Sequence, residues 1–130
     1  MRIKKIQEKH LWLAKELVKV IESDRNDKTI TYGELSDRIE RRIIPIAMGK
    51  PLGVLSTICY NNDMPLISVL VYNKKNKTKV PSNGFYNLFF PEIEGNTDKE
   101  YEVYIRELEK VTNYKDWNRL IDILEISIQS

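Results

Sequence analysis

Thr31-Tyr32-Gly33-Glu34-Leu35, then Arg41-Arg42-Ile43-Ile44-Pro45, then Leu52-Gly53-Val54-Leu55-Ser56-Thr57-Ile58-Cys59-Tyr60 follow one another in one short stretch. Thr31 and Glu34 have capping-box spacing: the threonine oxygen can accept from the Glu34 amide while the glutamate reaches back to the Thr31 amide. The spacing predicts a short helix that buries Leu35 and Ile39 and ends near Arg41. Pro45 disfavours helical geometry at Ile44 and so forces a turn. A second helix is expected from Ile46 or Pro51 to Tyr60, with Leu52, Leu55 and Cys59 on one stripe and Ile58 beside it. Gly49, Pro51 and Gly53 leave its start open, because proline is comfortable only in a first turn. Asn61-Asn62-Asp63 closes it.

Outward from this pair, Leu66 to Tyr72 is rich in β-branched residues and short enough for a buried strand. Asn73 to Lys79 reads as a polar hairpin tip, and Val80 begins a return strand. Gly84-Phe85-Tyr86 follows a further turn. Lys4 to Glu22 is an amphipathic helix with Ile6, His10, Leu13, Leu17 and Val20/Ile21 on one face. Thr29-Ile30-Thr31 is a short extended segment. Thr97 and Glu100 form a second capping box, opening a helix that aligns Tyr101, Tyr104/Ile105, Leu108 and Val111. A last helix from Lys115 aligns Trp117, Leu120/Ile121 and Leu124. Two short helices followed by a β-hairpin make a winged helix. The expected fold is therefore α+β, mostly helical: one domain over 1–130, with a winged-helix core at 29–86, an N-terminal helix, and a two-helix extension at 97–127.

The charge is divided along the chain. Residues 1–90 carry 16 Lys/Arg against 9 Asp/Glu, a net of +7, and residues 91–130 carry 5 against 10, a net of −5. A basic part beside an acidic one suggests a polyanion-binding surface with a separate solvated or shielding element. Length and composition exclude other classes. At 130 residues the chain fits one domain and is far short of the ~250 residues of a (β/α)₈ barrel. One Cys makes no intramolecular disulfide, and one Cys with one His gives few ligands for zinc, so a reducing compartment and no metal or cofactor are expected. No apolar run approaches the ~20 residues that span a bilayer, and charged Glu8, Lys9, Lys15 and Glu16 stand where a signal peptide is apolar. The expected location is cytoplasmic, without a membrane partner.

The motifs in their order resemble the C-terminal winged-helix domain of the O6-alkylguanine-DNA alkyltransferases and alkyltransferase-like proteins. The resemblance rests on Thr31-Tyr32-Gly33-Glu34-Leu35, Ile46-Ala47-Met48-Gly49, Asn62-Asp63-Met64-Pro65-Leu66 and Gly84-Phe85, over roughly residues 29 to 86. It implies a DNA-binding scaffold. Val69, Leu70, Val71 and Tyr72 stand where the family carries its reactive proline-cysteine-histidine-arginine, and Ile46 stands where the family inserts an arginine into the duplex. The resemblance thus implies the scaffold without alkyl transfer.

Other chemistry finds little support. Cys59 lies on an apolar stripe, where a free thiol is usually a small core residue, and no His or basic cluster beside it would lower its pKa. His10 falls on the buried face of the first helix. The paired carboxylates Glu92/Glu94 and Glu100/Glu102 suit solvation and a helix dipole better than acid–base work. No nucleophile–base pair with a third supporting group is present, so the expectation is a protein that is not an enzyme.

The leading expectation is a nucleic-acid-binding protein with duplex DNA as partner. Lys50, Ser56 and Thr57 would face the groove, and Arg41, Arg42, Lys74, Lys75, Lys77 and Lys79 would hold the phosphates. The alternative is a small interaction or inhibitor protein, for example a mobile-element-encoded inhibitor of a host nuclease. It would use an acidic segment that includes Glu92, Glu94, Glu100 and Glu102. Tyr101, Leu108, Trp117 and Leu124 fit either this core or a twin subunit, so a homodimer is also open.

Overall fold

Glu8–Glu22 forms helix α1, whose face of Leu13, Ala14, Leu17, Val18, Val20 and Ile21 is buried at the centre of the molecule. The structure, a computed structural model, describes residues 5–74, 81 and 83–129. After α1 come a short strand β1 (Ile30–Thr31), α2 (Tyr32–Arg38), a 3₁₀ turn at Pro45–Ala47 and α3 (Gly49–Asn61). A second 3₁₀ turn (Ile67–Leu70) leads into β2 (Val71–Tyr72). Next are α4 (Asn83–Phe89), a third 3₁₀ turn (Pro91–Ile93), α5 (Thr97–Asn113) and α6 (Asn118–Gln129). The fold is mostly helical, with a small two-stranded parallel sheet in which Ile30 pairs with Val71 and Thr31 with Tyr72. Helix α1 packs against α2, α3 and α6, while α5 lies on the Ile67–Leu70 turn. Among the described residues, no helix is long and apolar enough to cross a membrane.

Helix α1 starts four residues later than its periodicity suggests, because His10 anchors its first turn: the Gln7 amide donates to His10 Nδ1 at 2.9 Å. Burial first, and the charge of Lys9 second, hold the imidazole below its ordinary pKa. The folded value lies below the unfolded one of about 6.5. Its contribution to stability is therefore complete above that value and is lost as pH falls through the folded pKa. Urea midpoints should decline between about pH 7 and 5, and His10→Gln should flatten the decline. An unaltered profile in that variant removes His10 as the cause.

The first capping box forms by half. Thr31 Oγ1 accepts from the Glu34 amide at 3.0 Å, but the Glu34 carboxylate turns away to Arg25 (3.2 Å) and Arg38 (3.3 Å). The second box is displaced by one residue. Asn96 caps α5, accepting from the Lys99 amide, while Glu100 accepts from Gly95 N. Gly95 has φ +88°, a geometry that suits a residue without Cβ.

Two sequence expectations are corrected. Leu66 to Tyr72 is not a strand throughout, because its amide groups find partners other than a neighbouring strand: Val69 N donates to Leu66 O at 3.1 Å and Ser68 N to Ser56 Oγ of α3 at 3.0 Å. What remains, β2, pairs in parallel with β1. The expected return strand at Val80 lies outside the described residues. Gly84-Phe85-Tyr86 belongs to α4, where Phe85 and Phe89 are one helical turn apart (ring centroids 5.7 Å) and Tyr86 donates to Glu100 O at 3.0 Å. The buried face of α5 is Val103, Tyr104, Glu107 and Val111, rather than a stripe through Tyr101 and Ile105, both of which are exposed. Trp117 and Leu124 are buried within this chain's own core.

Candidate nucleic-acid interface

The turn between α2 and α3 is held by one buried side chain. Ser36 Oγ donates to Ile43 O at 2.7 Å, and Ser36 O accepts from Arg41 N at 2.8 Å. To meet these bonds the chain passes through two successive left-handed residues, Glu40 and Arg41, each with φ 58°. Neither is glycine, and such geometry is uncommon outside Gly, Asn and Asp. The next residues form the Pro45–Ala47 turn, closed by Ala47 N to Ile44 O (2.9 Å) and Met48 N to Pro45 O (3.1 Å). Met48 is buried beneath it, and Ile46 stands 91% exposed at its tip.

Tyr32 lines two hollows. One, of about 430 Å³, is bounded by Lys50, Thr57, Ser68, Phe85 and Leu88. The other, of about 710 Å³, is bounded by Gly33, Pro45, Ile46, Asn73 and Lys74. Lys50 and Lys74, far apart in sequence, thereby each line a hollow that Tyr32 also lines. The parallel pairing of β1 with β2 does this, since it sets the start of α2 beside the end of β2.

The remaining expected contacts are distributed differently. Arg41 pairs with Asp37 at 3.2 Å. Arg42 reaches Glu40 at 3.8 Å and lies over the Trp12 ring at 4.6 Å, toward α1. Both arginines keep exposed surface. Lys75, Lys77 and Lys79 lie outside the described residues. Ser56 is withdrawn from the groove-facing set: it is fully buried, and its hydroxyl meets that of Ser68 at 2.5 Å. Thr57 is nearly buried, lines the first hollow and donates to Gly53 O at 2.8 Å. From Leu55 to Cys59 every residue of α3 is buried. This helix therefore offers solvent its first turn, with Gly49 and Lys50, and its end at Tyr60 and Asn61, but no full-length face. Polarity alone placed Ser56 and Thr57 outside; the extra cover comes from the Ile67–Leu70 turn, whose Ser68 bonds Ser56, and from α4, both packed on α3.

The positions matched to the alkyltransferase motif are filled with apolar side chains, and Val69, Leu70 and Val71 are fully buried. Cys59 is buried as well, and burial pushes its thiol up to about 12, so it stays protonated at neutral pH. Among the acids of the tail, Glu94 accepts from Asn87 at 3.2 Å and Glu100 serves the start of α5, while Glu92 and Glu102 are exposed. Compared with known proteins, the chain matches no family model, no curated protein and no solved structure.

Proposed function

We propose that this chain is a non-enzymatic nucleic-acid-binding protein of winged-helix type, built on an alkyltransferase-like scaffold without alkyl-transfer chemistry, and that its ligand is duplex DNA. The observation that supports this most is that Lys50, at the exposed first turn of α3, and Lys74, just after β2, line two hollows that share Tyr32. The first residues of a recognition helix are the ones that ordinarily meet base edges. Here Lys50 and Gly49 are the part of α3 that a groove could reach. Arg41 and Arg42, displayed by the strained turn, supply further charge for phosphates, as does exposed Lys74. Thr57 lies too deep for a first contact and forms the wall of a hollow.

A salt titration with duplex and single-stranded oligonucleotides tests the reading. Each phosphate contact contributes about one to the slope of log affinity against log salt. Lys50→Ala and Lys74→Ala should each make that slope shallower by about one. Slopes unchanged in both variants would remove this end of the molecule from the interface. The alternative, an inhibitor that meets a basic protein through the acidic segment, has support in exposed Glu92 and Glu102. Neutralising both should preserve or strengthen DNA binding, whereas affinity for a basic protein should collapse.

A further inference from the structure

We infer that the chain associates with itself head to tail, the outer face of α5 in one copy receiving the Pro45–Ala47 knob of a second. The receiving face has two neighbouring stripes. Tyr101, Ile105 and Leu108 recur at four- and three-residue steps away from the buried face, and Tyr101 is 50% and Ile105 43% exposed. Ile105, Leu108 and Thr112 floor a hollow of about 350 Å³ that is walled by Asn26, Asp27 and Lys28. Beside this apolar stripe runs an acidic one of Asp98, Glu102 and Glu109, all exposed.

The knob is its complement in shape and sign. Ile46 projects from a turn that Pro45, two backbone hydrogen bonds and buried Met48 hold stiff, and Ile44 is 49% exposed beside it. A rigid knob loses little freedom on docking. Exposed Arg41, Arg42, Lys50 and Lys74 surround it in sequence or across the adjoining hollow. Scattered exposed isoleucines need no explanation. An apolar knob among cations and an apolar groove beside carboxylates, both on one chain, form a matched pair. That match makes a second copy the occupant. The two surfaces differ, so the contact is heterologous, and copies add head to tail, into a ring or an open chain according to the rotation at the contact. With two or three apolar side chains on each side it belongs to the small, transient class and depends on concentration.

This inference does not rest on DNA binding, although DNA and a second copy would compete for the knob. Sedimentation velocity on the full chain tests it. At low salt the weight-average mass should climb above 15.3 kDa with concentration. In about 1 M salt, where the Debye length is about 3 Å, association should weaken by roughly tenfold. Ile46→Gln and Ile105→Gln are surface changes that each remove one half of the contact. Each variant alone should stay monomeric. An equimolar mixture should form a dimer that grows no further, since one intact knob and one intact groove remain. A wild-type chain that stays monomeric overturns the proposal. So does either variant associating like wild type, or a mixture that forms no complex. Duplex binding by Ile105→Gln reports on the DNA proposal separately.

Discussion

Replacing Trp117 with alanine is expected to lower stability by about 3–5 kcal/mol, the range for truncating a large buried aromatic. Trp117 stands between α5 and α6, 1% exposed. Its indole Nε1 donates to Val111 O at 3.2 Å, and its ring meets that of Tyr114 edge-on at 4.9 Å. The change would leave a cavity, free the Val111 carbonyl, and remove an aromatic pair worth about 0.5–1.5 kcal/mol beyond its buried area. Set against a total of roughly 5–15 kcal/mol for an ordinary domain, that loss is a large fraction. Urea unfolding followed by far-ultraviolet circular dichroism measures it. Trp117→Phe should retain part of the loss, because the ring stays while the hydrogen bond goes. A cost below about 1 kcal/mol for the alanine variant would mean that α6 is not locked to the core through this side chain.

The elements that the sequence made legible are those whose local chemistry and tertiary setting agree. Helix α1 alternates charge and apolar residues so regularly that its buried face could be read directly. Thr31 marks the start of α2 because its hydroxyl has an amide within reach in any context. Asn62 and Asp63 mark the end of α3 because this turn needs a left-handed residue, and Asp63 adopts φ 57° there. On helix α5, Tyr104 and Val111 are buried as expected, but the stripe was drawn too far outward through Tyr101 and Ile105, for a specific reason. Glu107 occupies the buried stripe, and a carboxylate there disguises the period. It is tolerated because Lys110 Nζ at 3.0 Å and Arg106 Nε at 3.2 Å both reach it from the exposed flanks.

The interface shows the same division. Lys50 and Lys74 could be nominated from charge and position, but nothing in the sequence says that each would line a hollow shared with Tyr32. That placement depends on a parallel pairing between two segments of two residues each, a long-range contact without a local signature. Ser56 failed because a serine on an otherwise apolar helix looks like its wet side. Its actual partner, Ser68, lies in the segment that seemed to be a strand. When a helix is covered on every side but its ends, polarity marks a buried hydrogen bond as readily as it marks solvent.

The largest functional effect is expected from reversing the two lysines together. Lys50→Glu with Lys74→Glu removes two cations and puts two carboxylates where the proposed duplex approaches. Both side chains are exposed at hollows rather than packed in the core, so unfolding should shift little. Duplex affinity at moderate salt should fall by roughly two orders of magnitude, and the salt slope should become shallower by about two. The sizes of these changes separate mechanisms. A nonspecific fall caused by net charge alone would be reproduced by reversing two lysines elsewhere, such as Lys15 on α1 and Lys115 between α5 and α6, both exposed. If that control pair weakens binding as much as Lys50 and Lys74 do, the bound DNA does not sit at Tyr32. If the control pair leaves the slope unchanged while the first pair flattens it, the phosphates lie where the two hollows meet.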